Sequence, residues 1–584
     1  MKLMNRFTRI ISVVLLSISF SSCQKQTSND IYPESISISG PKYVAKNSMI
    51  QLSVDFDPIS ATKRNISWSI DNNEIASIDS TGLLTGREVG NVRVTATSID
   101  AKDVSAQFDV MVLERVVPVS SISLDKTNAT IFINQQDFQL NATIFPDDAS
   151  DKSLIWSTSD STIADVSNSG MVTAKKVGNV TISATTNDGG YVASCLVDII
   201  EQPKAKWTVM IYMCGADLES DVKERLATSD INEILSVDNQ PNDINIIIET
   251  GGAKSWDSTF NIDKDHLQRW HVDNKKLILD ASLAKANMGK VDTFQSFLEW
   301  GLIQYPAEKT GVILWNHGGA MRGVCFDENY RDDSLLNSEV NTAFANAFAK
   351  TNQKEKLEFI GYDACLMQVQ DIAEFNSQYF NYMIGSQESE AGEGWDYDTW
   401  IDDLYKYEST ETILKAIVDG FIADNGGVDV DTYKDEVADQ ASSYLDLSQM
   451  KSYKEAWENM ASSLQSKITY DNKNKFNSLI NSVKHFAGED YGCYGTFDAK
   501  DFIVKLQDNN IFKIDDKITN AVLTAHQNLV KYSLAQKCAG NAYGLCMFWA
   551  VNTNTKYSTN QNTYYKSIET NFSIWRTLCN TYGY

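Results

Sequence analysis

Two short apolar stretches each carry a reactive side chain near the C-terminal end. They are GVILWNHGGA at residues 311–320 and LEFIGYDACLM at residues 357–367. Each reads as a strand without a polar face, which is typical of a parallel sheet covered on both sides. His317 follows the first strand and Cys365 the second. Because reactive groups collect beyond the carboxyl ends of such strands, we expect the imidazole and the thiol to lie close together. A structural histidine and a buried cysteine are the ordinary alternative for each residue taken singly.

The surrounding sequence alternates buried strands with amphipathic helical stretches. WTVMIYM at 207–213, DINIIIET at 243–250 and YMIGSQ at 382–387 are further strands of the same apolar type. This order predicts a three-layer α/β/α sandwich with a parallel sheet. From about residue 409 the pattern is mainly helical, and a late strand, YGLCMFWAV at 543–551, is expected to join the edge of the sheet.

An internal repeat marks the first third of the chain. Residues 66–97 align without a gap over residues 154–185, at a constant offset of 88, and Trp68 falls on Trp156. Period-two alternation and turn residues predict a small β-sandwich for each copy. Over residues 34–201 the pattern also resembles the bacterial immunoglobulin-like domains of group 2. That resemblance implies a rigid stalk, with a carbohydrate or protein ligand as the alternative.

The first residues look like an export signal. Lys2, Arg6 and Arg9 precede an apolar run at 10–20, which is too short to span a membrane and is followed by Cys23. The segment resembles a bacterial lipoprotein signal, which implies a lipid on Cys23. We therefore expect a protein held at a bacterial membrane by this lipid alone, on the outer membrane or the cell surface.

Composition narrows the function classes. A chain of 584 residues is long enough for several domains. Its formal net charge of -26 argues against nucleic-acid binding, which needs clustered cations. The nine cysteines include no C-x-x-C pair, so neither a zinc site nor a disulfide framework is indicated.

The residues around His317 fit thiol catalysis better than a structural role. An imidazole can take the proton of Cys365 and later protonate the leaving amine. Backbone N–H groups hold an oxyanion best where side chains are absent. Gly318 and Gly319 follow the histidine, so we expect the oxyanion hole at the N–H groups of Gly318 and Cys365. A structural histidine gives no reason for the two glycines.

The pattern of an apolar strand before N-H-G-G, then a strand before D-A-C-L-M, resembles the clostripain-like cysteine peptidases, relatives of caspases, legumains and gingipains. WTVMIYMCGADLE, GSQESEAGEGWDY and YGLCMFW resemble further blocks of this family, over about residues 205–584. The resemblance implies Cys365 as nucleophile, His317 as general base and acid, and cleavage after Arg or Lys. Asp363 is the main candidate for binding that cation, and Glu390 and Glu393 are secondary candidates for the same pocket. A carboxylate that caps the next helix is the alternative for Asp363.

The family resemblance also implies self-cleavage between the histidine and the cysteine. The acidic loop GVCFDENYRDDSLLN offers Arg331, with Arg322 as the second choice. No cofactor is expected to be required. Some relatives use calcium, and Asp327, Asp332 and Asp333 are its candidate ligands, although their spacing is not that of an EF-hand.

Together these patterns predict a multidomain chain of two all-β immunoglobulin-like sandwiches and an α/β/α caspase-like domain with a mainly helical C-terminal addition. The segments are residues 1–22 (signal peptide), 23–33 (tether), 34–115 and 116–203 (immunoglobulin-like domains), 204–408 (peptidase core) and 409–584 (helical part with a late strand).

The interpretation is an exported cysteine endopeptidase that acts on proteins or peptides with Arg or Lys before the cleaved bond. We expect a monomer, made of two associated chains if the loop is cut. The rival interpretation is a cell-surface adhesion or binding lipoprotein with an inactive peptidase-like domain. Cys214 and Cys325 are interpreted as residues without a catalytic role, and the other four histidines as surface or core residues.

Overall fold

The structure is a computed structural model that describes residues 30–133, 138–430, 440–486, 495–549 and 570–583. It divides into one unit that ends at Ile200, here called the sandwich unit, and a second that begins at Glu201, here called the α/β unit. The signal-like segment and Cys23 lie outside the described residues. Within these ranges, no helix has both the length and the apolar character that a membrane span needs.

The sandwich unit contains two modules built from short strands. The strands of the first module are β1 (Ser35–Ser39), β2 (Tyr43–Ala45), β3 (Met49–Gln51), β4 (Ser53–Asp57), β5 (Ile66–Ile70), β6 (Ala76–Ile78), β7 (Leu83–Gly86), β8 (Gly90–Ser98) and β9 (Ser105–Leu113). Those of the second are β10 (Ser121–Leu124), β11 (Asn128–Phe132), β12 (Phe138–Gln139), β13 (Ala142–Phe145), β14 (Leu154–Thr158), β15 (Ala164–Val166), β16 (Met171–Ala174), β17 (Gly178–Thr186) and β18 (Val192–Ile200).

The two modules share one topology. The larger sheets have the orders β2-β9-β8-β5 and β11-β18-β17-β14, and the smaller sheets have the orders β3-β7-β6 and β12-β16-β15. In β8 and β17, every second residue points into the core, which is the alternation seen in the sequence. The predicted pair of immunoglobulin-like sandwiches is confirmed.

Close packing between a tryptophan ring and a glycine turn explains why both residue types occur in each copy of the repeat. Gly82 and Gly170 both have φ of +85°, where an L side chain is strained. A Cβ atom at these positions would also lie 2.9 Å from the ring of Trp68 and 2.7 Å from that of Trp156. Only glycine allows the indole to cover this turn, so the repeated W and G are packing partners.

The α/β unit is built from thirteen strands and twelve helices within the described residues. The strands are β19 (Ala205–Cys214), β20 (Ile244–Gly251), β21 (His266–Asp273), β22 (Lys276–Ala284), β23 (Ala307–Trp315), β24 (Val324–Asp327), β25 (Asp333–Leu335), β26 (Leu357–Asp363), β27 (Phe380–Ser386), β28 (Ala441–Asp446), β29 (Thr496–Asp498), β30 (Val530–Ala535) and β31 (Cys546–Phe548). The helices are α1 (Ala216–Ser220), α2 (Leu226–Ser236), α3 (Val291–Gln304), α4 (Asn337–Thr351), α5 (Gln370–Asn376), α6 (Tyr397–Tyr405), α7 (Thr410–Asp424), α8 (Met450–Gln465), α9 (Lys473–Asn481), α10 (Ala499–Gln507), α11 (Asp516–Leu529) and α12 (Ser573–Leu578).

One nine-stranded sheet organises this unit, in the order β22-β21-β20-β19-β23-β26-β27-β28-β30. The central strands β20, β19, β23, β26 and β27 run parallel. One apolar core lies on the face covered by α3, α4, α5 and the C-terminal helices, and a second core lies under α2, α6 and α7. Burial on both faces is the reason that β19 has no polar side after Lys206. The predicted α/β/α sandwich is confirmed.

The outer strands correct two details of the prediction. The sheet is mixed, because β21, β22, β28 and β30 run antiparallel to their neighbours. The expectation that the late strand joins the edge of this sheet is wrong: β31 pairs with β29 in a separate two-stranded sheet. The edge strand is β30, which follows α11 directly, so no turn residue marks the start of the strand.

Candidate active site

The ends of β23 and β26 place the two predicted reactive segments side by side. The strands are parallel, and Trp315 is paired with Asp363 at their last residues. The Asn316 N–H donates to the Asp363 carbonyl oxygen at 3.2 Å, so the register continues past the strand ends. His317 and Cys365 therefore both follow at the carboxyl edge of the sheet.

Asn316 fixes the start of the histidine loop. Its side chain is buried, its Nδ2 donates to the Cys214 carbonyl oxygen at 2.7 Å, and its Oδ1 accepts from the Phe326 N–H at 2.7 Å. One amide thus ties the end of β19 to β24. Asn316 is part of the sequence pattern before His317. Its bridging role was not predictable, because its two partners lie 102 and 10 residues away along the chain.

Gly318 lies directly against the backbone of Cys365. A Cβ atom at position 318 would stand 2.1 Å from the Cys365 carbonyl oxygen, a distance that no side chain can occupy. The Gly318 N–H also favours the charged form of the Cys365 thiol and so opposes the rise of its pKa. Gly319 closes the loop, because its N–H donates to the Gly323 carbonyl oxygen at 2.9 Å. The two glycines let the histidine loop and the cysteine loop touch through backbone atoms.

The Cys365 thiol is held from the opposite side by the loop after β27. Its Sγ accepts the N–H of Glu390 at 3.2 Å. Burial and the nearby charge of Glu390 raise the pKa of the thiol to about 12, although the surrounding N–H groups oppose this rise. Without substrate the residue is therefore a thiol, and a base must take its proton before it can act as a nucleophile.

His317 makes its hydrogen bond with a residue that the sequence reasoning missed. Its Nε2 lies 2.9 Å from Asp217 Oδ1. This hydrogen bond lowers the pKa of the Asp217 carboxyl. The hydrogen bonds among the described residues do not include one between His317 and Cys365. The Nδ1 atom is the ring nitrogen left for a proton transfer, and catalytic contacts often tighten only when substrate binds.

The segment that carries Asp217 is anchored by a buried glutamate. Glu219, in α1, accepts hydrogen bonds from the Thr228 N–H and hydroxyl, both at 2.9 Å, and from the Asp257 N–H at 2.8 Å. The guanidinium of Arg225 lies 3.8 Å from the Glu219 carboxylate. These contacts fix α1 relative to α2, so Asp217 is presented to the imidazole from a rigid turn.

Asp363 and Glu390 belong to a group of acidic side chains that also includes Asp230 and Glu233 of α2 and whose charges act on one another, here called the acidic pocket. Asp363 is 4% exposed, and its Oδ2 accepts the Tyr397 hydroxyl at 2.9 Å. Burial raises the pKa of Asp363 to about 7. Burial and the charge of Asp363 also raise the pKa of Asp230 and of Glu390. No Lys or Arg of the described residues forms an ion pair with any of these four carboxyl groups.

Three further predicted residues lie apart from this pocket. Glu393 is exposed, and the carboxylate that its charge affects is Asp424. Arg322 ends a 3₁₀ turn directly after the histidine loop. Arg331 is exposed between β24 and β25, in a left-handed conformation with φ of 62°. The structure therefore brings together Asp363 and Glu390, but not Glu393.

The three aspartates considered for calcium have different environments. Asp327 accepts the Met288 and Asn329 N–H groups, each at 2.9 Å, and Asp333 pairs with Lys290 at 2.6 Å, while Asp332 is exposed. Across the described ranges, no group of three or more His, Cys, Asp or Glu side chains is arranged to hold a metal ion. Calcium dependence stays a prediction.

The remaining cysteines near the site are packing residues in this structure. Cys214 and Cys325 are buried, and burial raises the pKa of both thiols. The Cys214 Sγ lies 3.7 Å from the Phe326 carbonyl oxygen, behind the histidine loop. Neither thiol has an imidazole partner among the described residues.

Comparison with known proteins agrees with this geometry. A model of the clostripain family matches residues 211–576, which is more than half of the chain. The chain belongs to the clostripain family. Models of the bacterial Ig-like domain (group 2) match residues 34–108 and 118–197 of the same family member.

Individual relatives of this clostripain-family chain are distant. Clostripain of Hathewaya histolytica is 24% identical over 409 residues, covering 61% of this chain and 76% of that protein. An uncharacterised protein of Clostridium acetobutylicum is 31% identical over 141 residues, or 24% of this chain and 14% of its own length. The chain spans 14% to 58% of the length of this relative and two others, so whole-protein activities are not carried over.

Solved structures include a secreted C11 cysteine protease from Bacteroides thetaiotaomicron in complex with an irreversible peptide inhibitor. Its TM-score is 0.47 at 16% identity, with 65% of this chain and 99% of that chain covered. An inactive zymogen of a C11 protease from Parabacteroides distasonis has a TM-score of 0.46 at 17% identity, with 63% of this chain and 98% of that one covered.

Proposed function

We propose that this protein is a cysteine endopeptidase that cleaves after Arg or Lys, with Cys365 as nucleophile and His317 as general base and acid. The observation that carries the proposal is the shared edge of the sheet, where a thiol, an imidazole, two backbone donors and an acidic pocket converge. Membership of the clostripain family supports the reaction class.

The proposed reaction follows ordinary thiol chemistry. The imidazole takes the Cys365 proton, and the thiolate attacks the carbonyl carbon before the cleaved bond. The developing oxyanion accepts hydrogen bonds from the Gly318 and Cys365 N–H groups. The imidazolium then protonates the leaving amine, and water hydrolyses the thioester with the same imidazole as base. Asp217 is a positioning residue that orients the ring.

Specificity is assigned to the acidic pocket. A buried carboxylate without a cationic partner costs free energy, and a substrate guanidinium or ammonium supplies that partner. Asp363 is two residues from the nucleophile, at the place where the side chain before the cleaved bond would lie. We exclude Glu393 from the direct contacts of this pocket because its carboxylate faces solvent near Asp424.

Fluorogenic peptides that end in Arg, Lys, citrulline or Asp test this proposal. We expect cleavage of the Arg and Lys peptides by the wild type, a loss of at least a thousandfold in Cys365→Ala and His317→Ala, and little cleavage of citrulline, which has the shape of arginine without its charge. Cleavage of the Asp peptide in preference to the Arg peptide would overturn the assigned specificity. An inactive wild type would favour the rival binding function.

Self-processing is proposed at Arg331 rather than Arg322. Arg331 is exposed at the tip of the β24–β25 hairpin, whereas a cut after Arg322 would break the Gly319–Gly323 hydrogen bond beside the catalytic histidine. Wild type should yield two associated chains on a denaturing gel, and Cys365→Ala and Arg331→Ala should each stay intact. A nick at Arg331 in Cys365→Ala would show that another protease makes the cut.

Export and lipid anchoring complete the proposal. They rest on the sequence of residues 1–23 and on the immunoglobulin-like modules. Growth of the producing bacterium with radioactive palmitate should label the wild type and leave Cys23→Ser unlabelled; an equally labelled variant would exclude Cys23 as the lipid site. Calcium is tested separately, by the activity left after EDTA and its recovery with added calcium.

A further inference from the structure

The backbone of Glu390 approaches the Cys365 sulfur more closely through its donor than through its acceptor. The Glu390 N–H donates to Cys365 Sγ at 3.2 Å, whereas the Glu390 carbonyl oxygen lies 4.0 Å from the same sulfur. An N–H group at the shorter distance favours a thiolate, because hydrogen bonds to the charged form of an acid stabilise that form. The loop after β27 therefore presents a donor to the reacting atom, in addition to the two N–H groups assigned to the oxyanion.

A buried glutamine holds this loop at the residues on both sides of Glu390. Gln440 lies directly before β28 and is fully buried. Its Nε2 donates to the Ser389 carbonyl oxygen at 3.2 Å, and its Oε1 accepts the Ala391 N–H at 3.3 Å. One side-chain amide thus binds the loop as a neighbouring residue of a parallel strand would, with one donor and one acceptor.

The position of these two hydrogen bonds determines where the Glu390 N–H is directed. In an extended chain, successive residues direct their backbone N–H and C=O groups to opposite sides. Gln440 binds the groups of Ser389 and Ala391 on one side, so the N–H of Glu390 is directed to the other side, where Cys365 lies. The amide of Gln440 therefore fixes the direction of the donor that meets the thiol.

Gln440 is itself fixed by a second buried glutamine, Gln536, which directly follows β30. The Gln440 N–H donates to Gln536 Oε1 at 3.1 Å, and the Gln536 N–H donates to the Gln440 carbonyl oxygen at 3.0 Å. The Gln536 Nε2 donates in turn to the carbonyl oxygen of Asn425, at the end of α7, at 2.6 Å. A chain of hydrogen bonds thus connects the antiparallel edge of the sheet to the loop that contacts the nucleophile.

We propose that Gln440 is a positioning residue of the active site, which holds the Glu390 N–H against Cys365 so that this N–H stabilises the thiolate. The inference rests on the proposed function, because it takes Cys365 as the nucleophile. The Glu390 N–H is then a catalytic group, since it contacts the reacting sulfur, and Gln440 acts through it. Strands β28 and β30 thereby contribute to the chemistry as well as to the fold.

Alkylation of Cys365 by iodoacetamide tests this role in the full-length protein, because the rate follows the thiolate fraction. Peptide mass spectrometry gives the rate for this cysteine between pH 6 and 10, separately from the other thiols. Gln440→Met keeps the length of the side chain but removes both hydrogen bonds to the loop. We expect its rate profile to move to higher pH by about one pH unit, which makes the rate about tenfold lower at a given pH below the titration.

The titratable groups on the segments around the thiol are the same in this variant and in the wild type. They are His317 in the histidine loop, Asp363 before the nucleophile, and Glu388 and Glu390 in the loop after β27. A shift of the profile therefore reports the lost N–H contact. Gln370→Met is the matched control, because this buried glutamine accepts the hydroxyl of Tyr453, in α8, at 3.0 Å, and it should leave the profile unchanged.

The outcomes are distinguishable. An unchanged profile in Gln440→Met would overturn the proposed role, and so would faster alkylation, which would show that the amide closes the loop over the sulfur. Wild-type Cys365 that reacts no faster than the buried Cys214 would instead contradict the proposed nucleophile and, with it, this inference. If Gln440→Met does not fold, Gln440→Asn replaces it, because its amide is one methylene shorter and the same direction of change is expected.

Discussion

In the sandwich unit, Asp109 lies on the surface and accepts two hydrogen bonds from Arg93, whereas in the α/β unit Asp363 is 4% exposed and accepts the Tyr397 hydroxyl. The contrast extends beyond this pair. Within the described sandwich unit, each aspartate with a shifted pKa has it lowered by hydrogen bonds: Asp79, Asp100, Asp109, Asp125 and Asp160. Among the described residues of the α/β unit, ten carboxyl groups have a raised pKa: Asp230, Glu233, Glu249, Asp327, Asp363, Asp371, Glu390, Asp398, Asp424 and Asp498.

The carboxyl groups of the two units therefore have different roles. In the sandwich unit, carboxylates cap turns and join strands at the surface, so ionisation favours the fold. For the ten carboxyl groups of the α/β unit with a raised pKa, ionisation is unfavourable, and such groups persist where another demand outweighs their cost in stability. Around Asp363, that demand is recognition of a cation.

Among the substitutions that test this comparison of the two units, Asp363→Asn is expected to have the largest effect. The amide keeps an acceptor for the Tyr397 hydroxyl but removes the buried charge, so kcat/KM for Arg peptides should fall by about a hundredfold or more. The melting temperature should stay the same or rise, because a buried carboxylate has been lost. Asp109→Asn is the matched control and should leave activity unchanged. Equal activity of Asp363→Asn and wild type would contradict the claim that the buried charge of Asp363 recognises the substrate cation.

A smaller loss is expected from Asp217→Asn. The imidazole keeps a polar neighbour but loses the carboxylate that orients it, so kcat should fall by about tenfold to a hundredfold. KM should not change, because Asp217 does not line the acidic pocket. Asp221→Asn, at the exposed end of the same helix, provides the control and should act like wild type. A change confined to KM would show that Asp217 acts on substrate binding instead.

Stability should respond to pH in opposite directions in the two units. Asp371 and Asp498 are buried, which raises the pKa of each to about 6. An unfolded chain releases these protons near pH 4 and the folded unit only near pH 6, so the stability of the α/β unit falls as pH rises between these values. Each group contributes about 2–3 kcal/mol to this fall. The lowered pKa values of the sandwich unit predict that its stability is lost as pH falls below about 4.

Hydrogen exchange read by mass spectrometry resolves both units in full-length Cys365→Ala, which cannot digest itself under the proposed mechanism. Across a heating series, protection of the α/β unit should be lost at a lower temperature at pH 7 than at pH 5. Protection of the sandwich unit should decrease from pH 5 to pH 3. Parallel behaviour of the two units would contradict the comparison.

The smallest effect on activity is expected from Gly170→Ala. The new Cβ atom meets the Trp156 ring at 2.7 Å in a backbone conformation that L residues avoid, so the second module should lose about 1–3 kcal/mol. Peptide cleavage should not change, because no residue of the proposed mechanism lies in the sandwich unit. Gly190→Ala, whose Cβ atom would meet nothing within 4 Å, separates backbone strain from the collision with the ring.

Local sequence patterns predicted the features that depend on neighbours in the chain. The buried strands before His317 and Cys365, the repeat with its tryptophans, and the closeness of Asp363 to the nucleophile all follow from segments of about ten residues. Gly318 was predicted as a donor of the oxyanion hole, and its contact with Cys365 adds the reason that no side chain fits there.

Contacts between distant segments were not predictable in this way. Asp217 is an acidic residue in a polar turn, and nothing nearby indicates that it meets a histidine 100 residues away. The hydrogen bond from the Glu390 N–H to the Cys365 thiol depends on the course of the loop after β27. The edge strand β30 was hidden because it continues α11 without a break, while β31 carried the stronger strand pattern but pairs elsewhere.

The most direct test of the account is labelling with a peptide that carries arginine and a chloromethylketone, followed by mass spectrometry of the modified residue. The account predicts one adduct on Cys365 in the wild type, a strong decrease in His317→Ala, and slow labelling by the citrulline analogue. Labelling of another cysteine, or equal rates for the arginine and citrulline reagents, would contradict a His317-activated Cys365 that is directed by an acidic pocket.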